Sequence, residues 1–227
     1  MENFIYSQNS LNIYKSCPKK FKNKYVDNFS WKKEDKENYY DGLIEGSEFH
    51  LICERYFLDV ELGINIDYKF YEDIQNVINL NLKEDAEDIL PEYELNYTIN
   101  SKKISTKFDL LLVKNNKFEI YDWKTQIIEN KKISTKSSYE KRMQTAVYLL
   151  VAYEVLSKVF NKDIKFENIS MNYFEVSKNN LVTINYSENM YFEHKKLIKR
   201  LISQIENDEF NITNKKHCDY CEFDGIC

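Results

Sequence analysis

The chain has 227 residues, of which 43% are hydrophobic and 30% charged, so it can bury the core of one sizeable domain. It contains only 4 Gly and 2 Pro, which excludes collagen-like and linker-rich repeats. No run approaches the ~20 apolar residues of a membrane span, and no secretory signal opens the sequence, so we expect a cytoplasmic protein with no membrane partner.

The formal net charge of −5 opposes a nucleic-acid partner only if the charge is evenly spread. Basic residues instead form four clusters, at 15–24, 102–107, 131–142 and 195–200. Each cluster alone is more typical of a solvated surface. The acidic total therefore does not by itself exclude a nucleic-acid partner.

Helical patterns dominate the first part of the chain. Residues 7–26 predict a short helical segment, and a polar loop follows over about 27–40. Residues 41–60 carry an apolar stripe at helical spacing, which predicts an amphipathic helix. One or two further helices are expected within 69–90.

The pattern then changes to that of a sheet. Apolar and polar residues alternate from 93 to 99, as in a half-buried strand, and 103–113 predicts a second strand. A turn over 114–117 makes this strand a hairpin with a third strand at 118–124. The remaining predicted elements are a long buried helix, a pair of strands and an amphipathic helix: 139–160, 169–176, 180–186 and about 191–205. This order predicts an α/β fold with a mixed sheet flanked by helices.

Two acidic residues and a lysine meet in the predicted hairpin. Asp109 interrupts an apolar strand, where burying an unpaired charge would be costly. Asp122 and Lys124 alternate along the next strand and therefore point to the same face. Two carboxylates brought together by a hairpin favour a cation such as Mg²⁺ between them. A D-x-K tripeptide alone is usually a surface ion pair, but the added aspartate indicates metal-assisted hydrolysis.

The hairpin spacing of Asp109, Asp122 and Lys124 resembles the PD-(D/E)xK nuclease superfamily. The resemblance implies a restriction-endonuclease-like fold, with both aspartates and the carbonyl of Trp123 as ligands of Mg²⁺ or Mn²⁺. Lys124 would position the attacking water. Phe108 stands where the superfamily name has a proline, and position 122 is Asp rather than Glu; neither departure removes a ligand.

Flanking motifs resemble the RecB-type exonuclease branch of that superfamily. His50 completes a helical G-x-x-x-H motif, and the resemblance implies that it ligates the metal. Gln144 and Tyr148 match a Q-x-x-x-Y motif, whose i,i+4 spacing places both on one helical face, to contact DNA or brace the lysine. The family's remaining acid would be Glu92 or Glu94, and we expect Glu94.

Cysteines form a second constellation. Three lie within ten residues near the C-terminus: Cys218, Cys221 and Cys227. In a reducing compartment this spacing favours zinc or an iron–sulfur cluster over a disulfide. A fourth ligand could be Cys17, Cys53 or His217. The chain resembles RecB-type nucleases with a [4Fe–4S] cluster, which implies that Cys17 is the fourth ligand; zinc on the same thiolates is the alternative.

These expectations combine into one functional hypothesis for a single nuclease domain spanning residues 1–227. Its catalytic core would cover about 41–187, and residues 7–26 with 188–227 would form the cluster subdomain. The expected activity is metal-dependent hydrolysis of DNA, from single strands or ends, with a separate helicase or CRISPR adaptation proteins as possible partners. The alternative is a non-catalytic nucleic-acid-binding module, or a scaffold subunit with a structural zinc or iron–sulfur site.

Overall fold

The computed structural model describes residues 1, 3–29, 37–125, 135–211, 218 and 221–223, without the side chains of 37–43. The main elements of these ranges, in chain order, are α1 (Gln8–Ser16), α2 (Pro18–Phe21), α3 (Glu37–Phe57), α4 (Tyr71–Ile78), β1 (Asp88–Ile99), β2 (Lys102–Lys114), β3 (Lys117–Lys124), α5 (Lys136–Glu140), α6 (Met143–Val159), β4 (Ile169–Glu175), β5 (Asn180–Asn185) and α7 (Glu188–Glu206).

The strands form one mixed sheet in the order β1-β2-β3-β4-β5. β1, β2 and β3 are antiparallel neighbours, β3 and β4 are parallel, and β4 and β5 are antiparallel. A parallel pair needs a long crossover, which α5 and α6 supply between β3 and β4. The predicted mixed sheet flanked by helices is confirmed.

Two apolar layers hold the helices against the two faces of this sheet. On one face, α6 packs with α1 and α7 through residues such as Val147, Leu150 and Ile198, all fully buried. On the other face, α3 and α4 pack through Phe49 and Ile74. Burying each such side chain stabilises the fold by roughly 1.5–3 kcal/mol. Helices from both layers can therefore reach the same strand ends.

Local sequence signals explain where the elements differ from expectation. The predicted helical segment 7–26 is broken at Cys17, because Pro18 has no N–H to donate and instead begins α2. The predicted helix 139–160 is two helices, with Arg142 in an extended conformation before α6. β1 begins at Asp88, inside the stretch 69–90 that was expected to be helical. None of the described helices is both long enough and apolar enough to span a membrane.

Candidate functional site

β2 has an edge toward β3 that is only partly paired. The β2–β3 pairing starts at the hairpin turn and its last pair is Leu110 with Tyr121. Beyond that point Tyr6 forms a parallel bridge to Ile104 on the same edge. Residues 106–109 lie between these two contacts. We call the space beside them the β2–β3 gap, and its unpaired backbone groups must find other partners.

Asp109 lies at the end of the gap, where β2 changes the face that it presents to each layer. Phe108 and Leu111 pack in the same layer although they are three positions apart, whereas a regular strand returns to the same face every two positions, so the alternation breaks here. On β1, Glu92 has a left-handed backbone with φ 51°, which costs on the order of 1 kcal/mol or more in a non-glycine residue. The ladder has no pair between Glu92 and Asp109, although pairs flank them on both sides.

The Asp109 side chain accepts the hydrogen bond from β3 that a backbone carbonyl of β2 would accept if the two strands were still paired here. Its Oδ2 accepts the Trp123 backbone N–H at 2.8 Å, and its Oδ1 lies 3.4 Å from Nδ1 of His50. His50 Nε2 is 3.2 Å from the Trp123 carbonyl oxygen. A side chain at Gly46 would place its Cβ 3.3 Å from Thr125 Oγ1, so glycine permits the close approach of α3 to the end of β3.

The charge of Asp109 also changes the protonation of His50. Burial alone would lower the pKa of His50, but the hydrogen bond and charge of Asp109, together with the charges of Asp122 and Glu92, outweigh burial and raise the pKa above its usual value. With Nε2 directed at a carbonyl oxygen, Nδ1 either carries a proton toward Asp109 or offers its lone pair to a cation there. The geometry therefore favours a positive charge between the two side chains.

Three ligand atoms converge at this point. A nitrogen of His50 and one carboxylate oxygen each of Glu92 and Asp109 lie within 4.8 Å of one another. One imidazole and two carboxylates suit Mg²⁺ or Mn²⁺. Glu94, which we expected in preference to Glu92, is exposed and accepts a bond from Ser105 Oγ at 3.0 Å. Glu92 lies in the inner position, where it also pairs with Lys107 at 2.6 Å, and it is the residue with the left-handed backbone, for which sequence alternation carries no signal.

Asp122, Lys124 and Gln144 form an adjoining polar network. Lys124 Nζ lies 2.5 Å from Asp122 Oδ2 and donates to Gln144 Oε1 at 3.1 Å, and the Gln144 amide donates to Asp122 Oδ1. Burial raises the pKa of Asp122 to about 6, against the opposing effect of Lys124. Asp122 Oδ2 is buried against the Lys124 ammonium, and because a carboxylate oxygen has two lone pairs, a second one is left that a cation could use.

Tyr148 is the second member of the predicted Q-x-x-x-Y pair, and it closes the gap from the α6 side. Its hydroxyl donates to the Lys107 carbonyl oxygen at 2.7 Å, and its ring packs edge-on against Phe108 at 5.0 Å. The tyrosine thus satisfies a carbonyl of the gap, while Gln144, one turn earlier, holds the lysine.

α2 lies beside the last described residues, and both regions carry candidate cysteine ligands. Cys17 and Cys221 are buried, and Cys218 is partly buried. Phe21 stacks on Phe210 with ring centroids 6.0 Å apart, and Lys20 pairs with Glu222 at 2.6 Å. The two remaining candidate ligands, Cys227 and His217, fall outside the described residues. Cys53 is a fully buried core thiol on α3, as its apolar stripe predicts.

Comparisons with solved structures bear on the fold alone. A proposed exonuclease from Eubacterium rectale is 10% identical, and the match covers 98% of this chain and 87% of that chain with a TM-score of 0.59. The structure of SSO0001 is 17% identical over 100% of this chain and 87% of that chain, with a TM-score of 0.48, too low to support the fold. None of the curated proteins compared with the chain matches it.

A family comparison is more specific than these structural likenesses. Residues 69–227 match the PD-(D/E)XK nuclease superfamily. The matched region contains both aspartates of the predicted motif, its lysine and Gln144. This family uses divalent metal ions on nucleic acids, and the described site has a group of residues that could hold one. The chain therefore belongs to the PD-(D/E)XK nuclease superfamily.

Proposed function

We propose that the chain is a Mg²⁺- or Mn²⁺-dependent exonuclease that hydrolyses phosphodiester bonds of single-stranded DNA or DNA ends. One observation carries the proposal: the His50–Glu92–Asp109 group adjoins the Lys124–Asp122–Gln144 network at one end of the sheet. The RecB-type motifs around His50 and Gln144, and a structural neighbour of the same fold named as a proposed exonuclease, support the exonuclease class.

The residues of the site would have two roles, metal binding and orientation of the attacking water. His50, Glu92 and Asp109 would hold the cation, and Asp122 would add a ligand through its free lone pair or hold Lys124. When bound, a divalent cation polarises the scissile phosphate and lowers the pKa of water. Lys124, aimed by Gln144, would orient the attacking water and stabilise the charge that develops on the phosphate oxygens.

Degradation of end-labelled single-stranded DNA tests the proposal. The wild type should cleave with Mg²⁺ or Mn²⁺ and stop with EDTA, and Lys124→Ala should lose at least about 100-fold in kcat, the scale of losing one charge-stabilising group. Lys117→Ala, at the exposed start of the same strand, is the matched control and should cleave normally. A wild type that binds DNA but leaves it intact with either metal would instead be a non-catalytic module.

The same assay separates an exonuclease from an endonuclease. A strand labelled at one end and a covalently closed single-stranded circle present the same bonds, but only the linear strand has ends. We expect the linear strand to be degraded and the circle to persist. Cleavage of both at similar rates would refute the exonuclease class while leaving metal-dependent hydrolysis in place.

We also propose that Cys17, Cys218, Cys221 and Cys227 hold a [4Fe–4S] cluster. Support comes from the chain ends, where Tyr14 donates to the Glu209 carbonyl oxygen at 2.9 Å and α1 and α2 lie beside the last described residues. Cys221 Sγ accepts the Phe223 backbone N–H at 3.4 Å, a bond that stabilises a thiolate ligand. The cluster would join the two chain ends. Separate helicase or CRISPR adaptation partners belong to the same RecB-type proposal.

Anaerobic purification tests the cluster. The wild type should be brown with about four iron atoms per chain, and Cys17→Ala should lose the colour and the iron. Cys53→Ala is the matched control, since burial holds the pKa of that thiol well above its usual value and keeps it unreactive. A colourless wild type with bound zinc would overturn the iron–sulfur assignment.

A further inference from the structure

Arg142 lies at the start of α6 beside the candidate active site. It is the residue before Met143, the first residue of the helix, and it precedes Gln144 by two positions. Its guanidinium carbon lies 4.0 Å from the centroid of the Tyr139 ring and 5.5 Å from that of Tyr173. A planar cation on aromatic faces keeps its edge N–H groups available for a second partner.

The two tyrosines form a rigid platform. Their rings stack with centroids 4.2 Å apart and an interplanar angle of 17°, and both are buried. The Tyr139 hydroxyl donates to Glu175 Oε1 at 2.9 Å, and the Tyr173 hydroxyl shares a bond with Thr145 Oγ1 at 2.8 Å. The guanidinium is therefore held in place before any ligand arrives.

The charges at this position call for an anion. Lys124 Nζ also lies 5.5 Å from the Tyr173 centroid, so the two cations are at most about 11 Å apart. A helix N-terminus favours negative charge, yet Arg142 stands there, and the first turn of α6 has no acidic residue. In the part of the chain that the structure describes, no carboxylate pairs with the guanidinium; the neighbouring Asp122 pairs with Lys124 instead.

We infer that Arg142 binds a backbone phosphate of the substrate strand, next to the phosphate that is cleaved. The inference rests on the proposed function, because Lys124 would serve the scissile phosphate. Among the described residues, Arg142 forms no hydrogen bond or ion pair with the metal group or with the Asp122–Gln144 network. Its role is therefore to hold and position the strand, equally in the ground state and the transition state.

Binding of a fluorescein-labelled single-stranded oligonucleotide in EDTA tests the inference without any cleavage. Arg142→Gln keeps a planar side chain but removes the charge, and it should weaken binding about tenfold, the scale of one charged hydrogen bond. The slope of log K against log salt should flatten by about 0.7, the contribution of one phosphate on a single strand. Arg200→Gln, on the exposed surface of α7, is the matched control and should leave affinity and slope near the wild type.

Arg142→Lys separates charge from shape. It should restore the salt slope, because one positive charge returns. It should restore only part of the affinity, because lysine lacks the planar guanidinium that stacks on the tyrosines. In cleavage assays Arg142→Gln should raise KM and leave kcat within about twofold, the pattern of uniform binding. Thermal unfolding of each variant establishes that a loss of binding is not a loss of fold.

The possible results discriminate between this inference and the proposed function. A folded Arg142→Gln protein with wild-type affinity and salt slope would overturn the phosphate contact even if the wild type cleaves DNA. A loss confined to kcat would also overturn it, because the residue would then act on the reacting phosphate. If the wild type binds without cleaving, weaker binding by Arg142→Gln still supports the contact while the proposed hydrolysis fails.

Discussion

Asp109 has two separable tasks, and a pair of substitutions should separate them. Asp109→Asn keeps an oxygen to accept the Trp123 N–H, now bonded at 2.8 Å, and offers an amide toward His50. Asp109→Ala removes the acceptor and leaves the N–H of Trp123, a residue only 2% exposed, without a partner. An unsatisfied buried donor costs about 1–3 kcal/mol. We expect Asp109→Ala to be less stable than Asp109→Asn by that amount.

Urea unfolding in EDTA, followed by circular dichroism, measures the difference without any contribution from bound metal. For a chain of this size each 1 kcal/mol shifts the melting temperature by about 2–4 °C, so thermal scans provide an independent check. Both variants should lack metal-dependent activity, since each loses a ligand. In Asp109→Asn the pKa of His50 should fall, because the charge that raises it is gone; proton NMR of the ring would detect this.

Equal unfolding free energies for the two variants would refute the idea that Asp109 stabilises the β2–β3 gap. Asp163 is a suitable control, since it is exposed in a loop. Its Asn and Ala variants should agree within about 0.5 kcal/mol, as surface substitutions usually do.

Three further predictions concern single side chains. Burial lowers the pKa of His194 to about 4, so the folded state excludes a proton that the unfolded chain binds below about pH 6.5. The unfolding free energy should therefore fall by about 3 kcal/mol between pH 6.5 and 4. The His194→Gln variant should lack this contribution to the loss of stability. Tyr148→Phe, which leaves the Lys107 carbonyl oxygen unpaired, should cost about 1–2 kcal/mol in urea unfolding. Gln144→Ala frees Lys124 from its acceptor and should lower kcat at least about tenfold with little change in DNA affinity.

Each of these predictions has a result that contradicts it. An unfolding free energy with the same pH dependence in His194→Gln and the wild type would mean that another group controls acid sensitivity. Wild-type stability of Tyr148→Phe would mean that water replaces the hydroxyl. A Gln144→Ala enzyme with a normal kcat would show that Lys124 needs no help from α6; Gln204→Ala, on α7, is the control for that variant.

Much of the fold was predictable because its signals are local. The apolar run in 103–113 and the hairpin turn after it predicted β2 and β3 to within one residue at each end, together with their pairing. Asp109, Asp122 and Lys124 stood out because a charge inside an apolar strand needs a partner. The helical motifs around His50 and Gln144 could be found only through family resemblance, since neither side chain is unusual for its own helix.

The inner acid could not be predicted for a definite physical reason. Alternation assigns Glu92 and Glu94 to the same face of β1, but it assumes a regular strand. The left-handed backbone at Glu92 violates that assumption, and glutamate has no special preference for it. Only the structure reveals that the ladder is interrupted between Glu92 and Asp109. The stacking of Arg142 on two tyrosines was likewise not predictable, because those tyrosines come from α5 and the distant strand β4.

The β2–β3 gap links the activity of this protein to the integrity of its whole fold. His50 comes from the helix layer on one face of the sheet, and Gln144 and Tyr148 come from the layer on the other. A partly folded chain with either layer undocked would lack half of the constellation. Such a species would therefore lack the complete site, and metal-dependent hydrolysis would require both helix layers to be docked on the sheet.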